Sequence, residues 1–273
     1  MPVQQLFYRS AIPVSPQRHG DVSVKTGHSF AFASRANSAP ITAVEFGPAA
    51  GDHPIVFAGS GDDVFPAVIL GTRDAENLSV DAAGQWKGSY IPAFVRRYPF
   101  VFTLDEERNQ FTLLIDEEFE GVNKTGRGER LFDSDGEQTS YLKGILRFLQ
   151  DFQAQFVRTQ AFCRRLKELD LLTPMQAQFS LAEGEKRTLS GFLVVNREKL
   201  KALDPETVAD LLAKDELECI FLHLSSMRHF SRMLERTQPA AATGSATPGP
   251  DDAADRPADR DAALDEVETA GNA

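Results

Sequence analysis

The hydrophobic period of the chain changes near residue 139. Before that point, apolar runs of four to six residues lie between Gly, Pro, Asn and Asp, as in SFAFA (29–33), ITAVEF (41–46) and PIVFAG (54–59). Such runs predict short strands joined by turns. From Thr139 to Leu169, apolar residues recur at steps of three and four, which predicts a long amphipathic helix. Because strands and helices do not alternate regularly, we expect an α+β fold. Its mostly antiparallel sheet would come from the N-terminal half and the hairpins, and would pack against C-terminal helices.

Two hairpins and a final helix complete this pattern. In the first hairpin, YPFVFTL (98–104) and QFTLLID (110–116) flank a polar turn. In the second, QAQFSL (176–181) and TLSGFLVVN (188–196) flank a turn that contains Glu and Gly. Apolar residues at helical spacing predict a last helix from Asp215 to Arg236.

Composition separates residues 239–273 from the rest of the chain. They are mainly Ala, Asp, Pro and Gly without an aromatic residue, so we expect a disordered acidic tail. Residues 1–238 are predicted to form a single domain. Of the net charge of −11, the tail carries −6 and leaves −5 for residues 1–238. This negative net charge of residues 1–238 argues against nucleic acid or an anionic membrane as the main partner.

The sequence also predicts the compartment. Cys163 and Cys219 lie in apolar, helix-like stretches, where buried reduced thiols are expected rather than a disulfide. The N-terminal residues show no charged segment followed by an apolar run, so we expect no signal peptide. No window approaches 18 apolar residues, so we expect no membrane span. These features together predict a cytoplasmic protein.

The stretch from Trp86 to Phe100 concentrates aromatic residues, prolines and arginines. Its aromatic residues recur every four positions: Trp86, Tyr90, Phe94 and Tyr98. Pro92 rules out one continuous helix through all of them, because proline cannot donate a backbone hydrogen bond. Pro99 disfavours a helical conformation at Tyr98, the residue before it. We expect an extended entry, a short helix over residues 91–97 and a strand that starts at Pro99. Phe94 and Tyr98 would share one face of that helix, and Arg96 and Arg97 would point away from it.

This stretch is the predicted binding site for a partner. Arginines beside aromatic residues and prolines suit the recognition of a carboxylate or an extended peptide. The alternative is that the aromatic residues are core and that the arginines pair with the acids of residues 116–120. The candidate partner-binding residues are Trp86, Tyr90, Arg96, Arg97, Tyr98, Asp133 and Asp135.

Three acids have a structural interpretation beside a functional one. Asp133 and Asp135 could act as a carboxylate pair, but Asp-Gly before a helical pattern is typical of a turn. Asp135 with Gln138 resembles a capping box, and Thr139 is an alternative helix cap. Glu45 lies inside an apolar run and is expected to face outward from an edge strand rather than to be buried.

Motifs for catalysis are missing from the sequence. There is no Gly-rich phosphate loop before a helix, no G-x-S-x-G and no H-E-x-x-H. His19, His28 and His53 could hold a metal if they met in space, but isolated histidines at unrelated spacings are usually structural. We therefore predict no catalytic residues, no metal and no cofactor, and the sequence favours a non-catalytic protein over an enzyme.

Several motifs resemble those of the SapC family. The pattern W-x-G-x-Y-I-P-x-F-x-R-R-Y-P-F spans Trp86 to Phe100. The other motifs that resemble the family are ILGTRDAENL (69–78), LFDSDGEQT (131–139), LSGFLVVNREKLKAL (189–203) and LECIFLHLSSM (217–227). The resemblance covers the chain from about Val3 to Leu234 and is specific because the motifs occur together.

The resemblance implies a role without assigning catalytic residues. The family is named from a gene linked to surface-layer protein export in Gram-negative bacteria. Its members often occur beside TonB-dependent receptors, flavin-dependent tryptophan-halogenase-like proteins and 2-oxoglutarate/Fe(II) or cupin-type oxygenases. This implies an accessory protein that binds a protein or peptide partner in a surface-protein, secretion or peptide-modification system. A functional link to a flavin-dependent halogenase or a 2-oxoglutarate oxygenase is part of that expectation.

The alternative function is a metal-dependent, oxygenase-like or hydrolytic enzyme that acts on peptides. It would require acids or histidines that converge in space. An unrelated membrane permease of peptide import shares the short name of the family, but the sequence contains no segment long and apolar enough to be that permease.

Overall fold

The computed structural model describes residues 6–27, 29–59, 61, 63–105, 110–180 and 186–237. Over these residues the chain has an α+β fold, with antiparallel sheets and C-terminal helices. This confirms the predicted fold class. The predicted tail, residues 239–273, and His28 lie outside the described residues.

Short strands dominate the first half of the chain. Within the described ranges the strands are β1 (Ala11–Pro13), β2 (Ser23–Val24), β3 (Ser38–Pro40), β4 (Ile55–Ala58), β5 (Phe65–Ile69), β6 (Phe100–Asp105), β7 (Gln110–Asp116), β8 (Val122–Asn123), β9 (Glu129–Arg130), β10 (Leu172–Ser180) and β11 (Lys186–Val195). They form a five-stranded sheet in the order β10-β11-β4-β5-β3 and two smaller sheets, β1-β7-β6 and β8-β2-β9. Every strand pair in these sheets is antiparallel.

Helices dominate the second half. The described helices are α1 (Pro16–His19), α2 (Phe46–Ala49), α3 (Ala93–Arg96), α4 (Ser140–Glu168), α5 (Arg197–Lys201), α6 (Pro205–Ala213), α7 (Glu216–Ser226) and α8 (His229–Thr237). None of the helices in the described part of the chain has the length and apolar character needed to cross a membrane.

Both predicted hairpins are confirmed. β6 pairs with β7 from Phe100 opposite Ile115, and β10 pairs with β11 from Leu172 opposite Val195. β10 begins four residues earlier than predicted. It includes Pro174, which a strand at the edge of a sheet tolerates because one side of it makes no ladder hydrogen bonds.

Two predicted N-terminal strands are wrong. In SFAFA (29–33), the chain forms a 3-10 helix at Ala31–Ala33, and ITAVEF (41–46) forms a 3-10 helix at Ala43–Glu45 that continues into α2. In the second case, the Glu45 side chain folds back and accepts hydrogen bonds from Thr42, which closes a helical turn instead of an extended strand.

The long helix α4 is continuous over 29 residues. Thr139 is its N-cap, since its hydroxyl oxygen accepts a hydrogen bond from the Leu142 amide at 3.3 Å. This selects Thr139 over the capping box of Asp135 and Gln138. α4 buries Leu142, Leu149, Phe162 and Leu166 against the core, whereas Phe148, Phe152 and Phe156 remain half-buried.

The predicted last helix is interrupted. α7 ends at Ser226 and α8 begins at His229. The Ser226 hydroxyl donates to the His223 carbonyl at 2.6 Å and accepts from the Ile55 amide at 2.9 Å. His229 Nε2 lies 2.8 Å from the Ala50 carbonyl oxygen. These bonds to β4 and to the chain before it anchor both sides of the break.

Candidate binding site

The Trp86–Phe100 stretch begins with a turn that its own tryptophan stabilises. The indole Nε1 of Trp86 donates to the Tyr90 carbonyl at 2.9 Å, and the ring lies 5.8 Å from Phe30. Asp52 supports the same turn, because its carboxylate accepts the Tyr90 amide at 2.7 Å. Trp86 is half-buried. Its contacts with Tyr90 and Phe30 give it a structural role.

Glu45 fixes the middle of the stretch. Its carboxylate is only 4% exposed, and Oε1 accepts the Tyr90 hydroxyl at 2.8 Å and the Ala93 amide at 2.7 Å. Oε2 accepts the amide and the hydroxyl of Thr42 at 2.7 and 2.9 Å. The prediction that Glu45 faces outward from a strand is wrong: this buried carboxylate joins two parts of the chain. Burial and the neighbouring carboxylate both raise the pKa of Tyr90, so its hydroxyl stays a donor.

A second buried carboxylate fixes the end of the stretch. Asp116, at the end of β7, accepts the amides of Arg9 and Ser10 at 2.9 and 3.0 Å and the Tyr98 hydroxyl at 3.1 Å. Burial raises the pKa of Tyr98, and its ring packs 4.3 Å from that of Phe32. Tyr98, which precedes a cis peptide bond to Pro99, is therefore a core residue.

The acids of residues 116–120 do not pair with the two arginines. Asp116 binds backbone amides and Tyr98, while Glu117 forms a bidentate pair with Arg18 at 2.8 and 2.7 Å. Among the described residues, no carboxylate forms an ion pair with Arg96 or Arg97. The alternative interpretation of the arginines is wrong on this point.

Arg96 lies on the surface of α3 between two aromatic rings. Its Nε donates to the Ile91 carbonyl at 2.9 Å. Its Cζ lies 5.9 Å from the centre of the Tyr90 ring and 5.4 Å from that of Phe148 on α4. Each of these is a cation–π contact, which orients the guanidinium without neutralising it.

Arg97 lies closer to two aromatic rings than Arg96 does. Its Cζ lies 4.1 Å from the centre of the Phe94 ring and 5.1 Å from that of Phe152. The prediction that Arg97 points away from Phe94 is therefore wrong. Burial lowers the pKa of this guanidinium, and the neighbouring Tyr8 hydroxyl opposes the shift. The Nε atom of Arg97 is buried and has no hydrogen-bond partner among the described residues.

These contacts define an arginine–aromatic cluster. Its residues are Tyr90, Phe94, Arg96 and Arg97 from the stretch, together with Phe148 and Phe152 from α4. The sequence indicated the arginines and Tyr90 but missed the two rings of α4, because the apolar residues of that segment predicted only an amphipathic helix. Their spacing could have indicated them, because Phe148 and Phe152 lie about one helical turn apart and therefore share a face of the predicted helix.

Asp133 and Asp135 lie outside the arginine–aromatic cluster. Asp133 Oδ1 accepts the amides of Asp135 and Glu137 at 3.0 and 2.9 Å, so it stabilises the turn that precedes α4. Both acids are exposed. Because α4 begins at Ser140 and rises 1.5 Å per residue, Phe148 lies about 12 Å along the helix from this turn.

A cleft of about 320 Å³ opens beside the same turn. Its walls are polar and apolar in nearly equal parts, and the polar side chains are those of Glu137, Gln138 and Lys143. Asp133 and Asp135 do not line it. The structure thus brings Tyr90, Arg96 and Arg97 together, and leaves Trp86, Tyr98 and the two aspartates outside the cluster.

The described residues offer no metal site. No group of three or more His, Cys, Asp or Glu side chains converges in the described ranges. His19 and His53 are both buried, and His19 accepts the Ser15 amide at 3.1 Å. The alternative of a metal-dependent enzyme therefore gains no support from the described part of the chain.

Comparison with known proteins identifies the family. The SapC family model matches residues 14–233, which include the cluster and both buried carboxylates. The chain belongs to the SapC family. No curated protein and no solved structure matches it. The resemblance to the family is thereby confirmed. In this SapC protein, two of the five motifs lie between β5 and β6, and the other three lie in the turn before α4, in β11 with α5, and in α7.

Proposed function

We propose that this SapC family protein is a non-catalytic accessory protein that binds a protein or peptide partner through the arginine–aromatic cluster. The observation that carries the proposal is the pair of guanidinium groups oriented by aromatic rings without a carboxylate partner among the described residues. An oriented arginine whose charge is not neutralised is suited to binding a carboxylate ligand.

The setting of this function is part of the proposal. Family membership supports a role in a surface-protein, secretion or peptide-modification system, with a functional link to a flavin-dependent halogenase or a 2-oxoglutarate oxygenase. We propose the cytoplasm as its compartment. In this proposal, Trp86 and Tyr98 position the stretch, while Asp133 and Asp135 border a separate part of the surface.

Affinity capture from the native cell tests the proposal. The immobilised full-length protein is compared with Arg96→Ala/Arg97→Ala and with Arg164→Ala, which removes an exposed arginine farther along α4. We expect a partner that wild type and Arg164→Ala capture equally, and that the double variant captures at least about tenfold less, because central arginines are frequent hot spots.

Folding of the double variant is checked by circular dichroism. Arg96→Glu, which changes only an exposed side chain, replaces the double variant if that protein does not fold. Full retention of every captured partner by a folded variant would contradict the proposal.

A further inference from the structure

The strand β6 lies at one end of the sheet β1-β7-β6, and its hydrogen bonds with β7 define which backbone groups face outward. The Asp116 amide donates to the Pro99 carbonyl at 3.0 Å, so these two residues form a hydrogen-bonded pair of the antiparallel ladder. Hydrogen-bonded pairs alternate along such a ladder. Every second residue of β6 therefore binds β7, and the residues between them point their N–H and C=O groups outward. The outward residues are Phe100, Phe102 and Leu104.

The first of these outward residues has hydrogen-bond partners within the chain. The Phe100 amide donates to the Arg97 carbonyl at 2.8 Å, and the Phe100 carbonyl accepts the Tyr8 hydroxyl at 2.8 Å. Among the described residues, no hydrogen bond is formed by the outward N–H and C=O groups of Phe102 and Leu104. The edge of the sheet is therefore open from Phe102 onward.

The other three strands at the ends of the two larger sheets carry a proline. β1, β3 and β10 contain Pro13, Pro40 and Pro174. Backbone hydrogen bonds in these strand pairs set the same alternation, and all three prolines fall on outward positions. A proline has no N–H group, so it disfavours the addition of a further strand. Of these four described end strands, β6 is the one without a proline on its outer edge.

The open edge of β6 is suited to pairing with a second copy of itself. Its two open residues lie on either side of Thr103. An antiparallel pair centred on Thr103 would place Phe102 opposite Leu104 of the second copy, and Leu104 opposite Phe102 of that copy. Each of these two pairs would exchange two backbone hydrogen bonds, so that all the open groups of both copies obtain partners.

The side chains of β6 do not oppose this pairing. Residues 100–104 are Phe-Val-Phe-Thr-Leu and carry no charge, and Asp105 would lie opposite Val101 of the second copy rather than opposite another acid. Like charges that face each other would destabilise such a pair, whereas a Thr–Thr pair stabilises it. The two copies of Thr103 would face each other directly.

Exposed aromatic surface lies beside the open edge. Phe111 on β7 is 50% exposed, and its ring lies 5.6 Å from the ring of the half-buried Phe102. A second copy of β6 next to the first would cover part of this aromatic surface. Pairing would therefore remove apolar area from water in addition to forming backbone hydrogen bonds.

We propose that two copies of this protein associate through antiparallel pairing of their β6 strands. The pairing joins the two three-stranded sheets into one six-stranded sheet, with a two-fold axis at Thr103. Two short strands bury less than the roughly 1,600 Å² of a standard interface, so the dimer dissociates at micromolar concentrations. This inference is independent of the partner proposed for the arginine–aromatic cluster, because it depends on the backbone of β6.

Analytical ultracentrifugation of the full-length protein over the micromolar range tests the proposal. Thr103→Lys places two positive charges opposite each other at the axis. Thr112→Lys is the matched control, because Thr112 is also half-buried and lies opposite Thr103 on β7, one strand farther from the axis. We expect wild type and Thr112→Lys to dimerise equally, and the dissociation constant of Thr103→Lys to be at least about tenfold higher.

Disulfide formation gives a second measurement. The two copies of Thr103 would form a non-hydrogen-bonded pair with Cα atoms about 4.5 Å apart, which a disulfide can span. The two copies of Thr112 would be separated by three strand spacings, about 14 Å, which a disulfide cannot span. Under mild oxidation we expect a disulfide-linked dimer of Thr103→Cys, and none of Thr112→Cys or of wild type, which retains Cys163 and Cys219.

Circular dichroism verifies that each variant is folded, and the cysteine variants decide if Thr103→Lys does not fold. Wild type that stays monomeric throughout the micromolar range would overturn the proposal. A dimer that folded Thr103→Lys does not weaken would place the interface elsewhere and would overturn it as well. Disulfide-linked dimers that form equally at positions 103 and 112 would contradict the pairing centred on Thr103.

Discussion

Replacing Glu45 with Gln is expected to lower the free energy of unfolding by about 3 kcal/mol. The carboxylate accepts four hydrogen bonds, two of them from the backbone amides of Thr42 and Ala93. Glutamine has nearly the same shape, but its NH₂ group must face one of these amides, which then loses its acceptor in a buried site. Urea unfolding followed by the fluorescence of Trp86, the single tryptophan of the chain, measures the change.

The matched control is Glu218→Gln, which removes the same charge from an exposed position on α7. Its effect is expected to stay within about 0.5 kcal/mol. A Glu45→Gln protein as stable as this control would show that the buried carboxylate does not hold the Trp86–Phe100 stretch.

Acidification from pH 7 to pH 5 is expected to cost about 2 kcal/mol of stability through His223 alone. This histidine is fully buried: Nε2 accepts the Val195 amide at 3.0 Å, and Nδ1 lies 2.7 Å from the Ile55 carbonyl, to which it donates. Burial lowers its pKa to about 4 in the folded protein. The unfolded chain, with a pKa near 6.5, binds the proton first, so stability is complete above that value and falls as the pH decreases toward 4.

Urea unfolding at both pH values measures this dependence in wild type and His223→Gln. The variant should lose about 2 kcal/mol less than wild type over this range, although it is less stable at pH 7. Ser226→Ala is the control, because it removes the neighbouring bond to Ile55 and keeps the titrating ring. Equal pH dependence in wild type and His223→Gln would contradict the account.

Local patterns were sufficient for much of the fold. The hairpins β6–β7 and β10–β11 pair strands that are close in sequence, and α4 carries its helical period over many turns. These elements depend on interactions between near neighbours, which periodicity and turn residues report. The α+β class followed from their order along the chain.

The errors arose where distant or competing contacts decide the structure. Thr42 and Glu45 have the T-x-x-E spacing typical of a helix start, but the apolar residues around them favoured a strand in our prediction. The break between α7 and α8 has no Gly or Pro to mark it. It coincides with hydrogen bonds to Ile55 and Ala50, which are far away in the sequence.

For the same reason, the sequence predicted only part of the candidate site. Arg96 and Arg97 stand out beside aromatic residues, but Phe148 and Phe152 join them only through the packing of α3 against α4. The sequence also could not show that Glu45, Asp52 and Asp116 bind the backbone and the tyrosines of the stretch. Those contacts leave both arginines without an acidic partner among the described residues.

Site-specific photo-crosslinking in the native cell tests most directly whether a partner contacts the arginine–aromatic cluster. Phe148 of the full-length protein is replaced with p-benzoylphenylalanine, and the same replacement at Phe221, which is 49% exposed on α7, is the control. We predict a discrete crosslinked partner from position 148 that position 221 does not yield and that Arg96→Glu removes. The absence of any adduct at position 148, or the same adducts at both positions, would contradict the account.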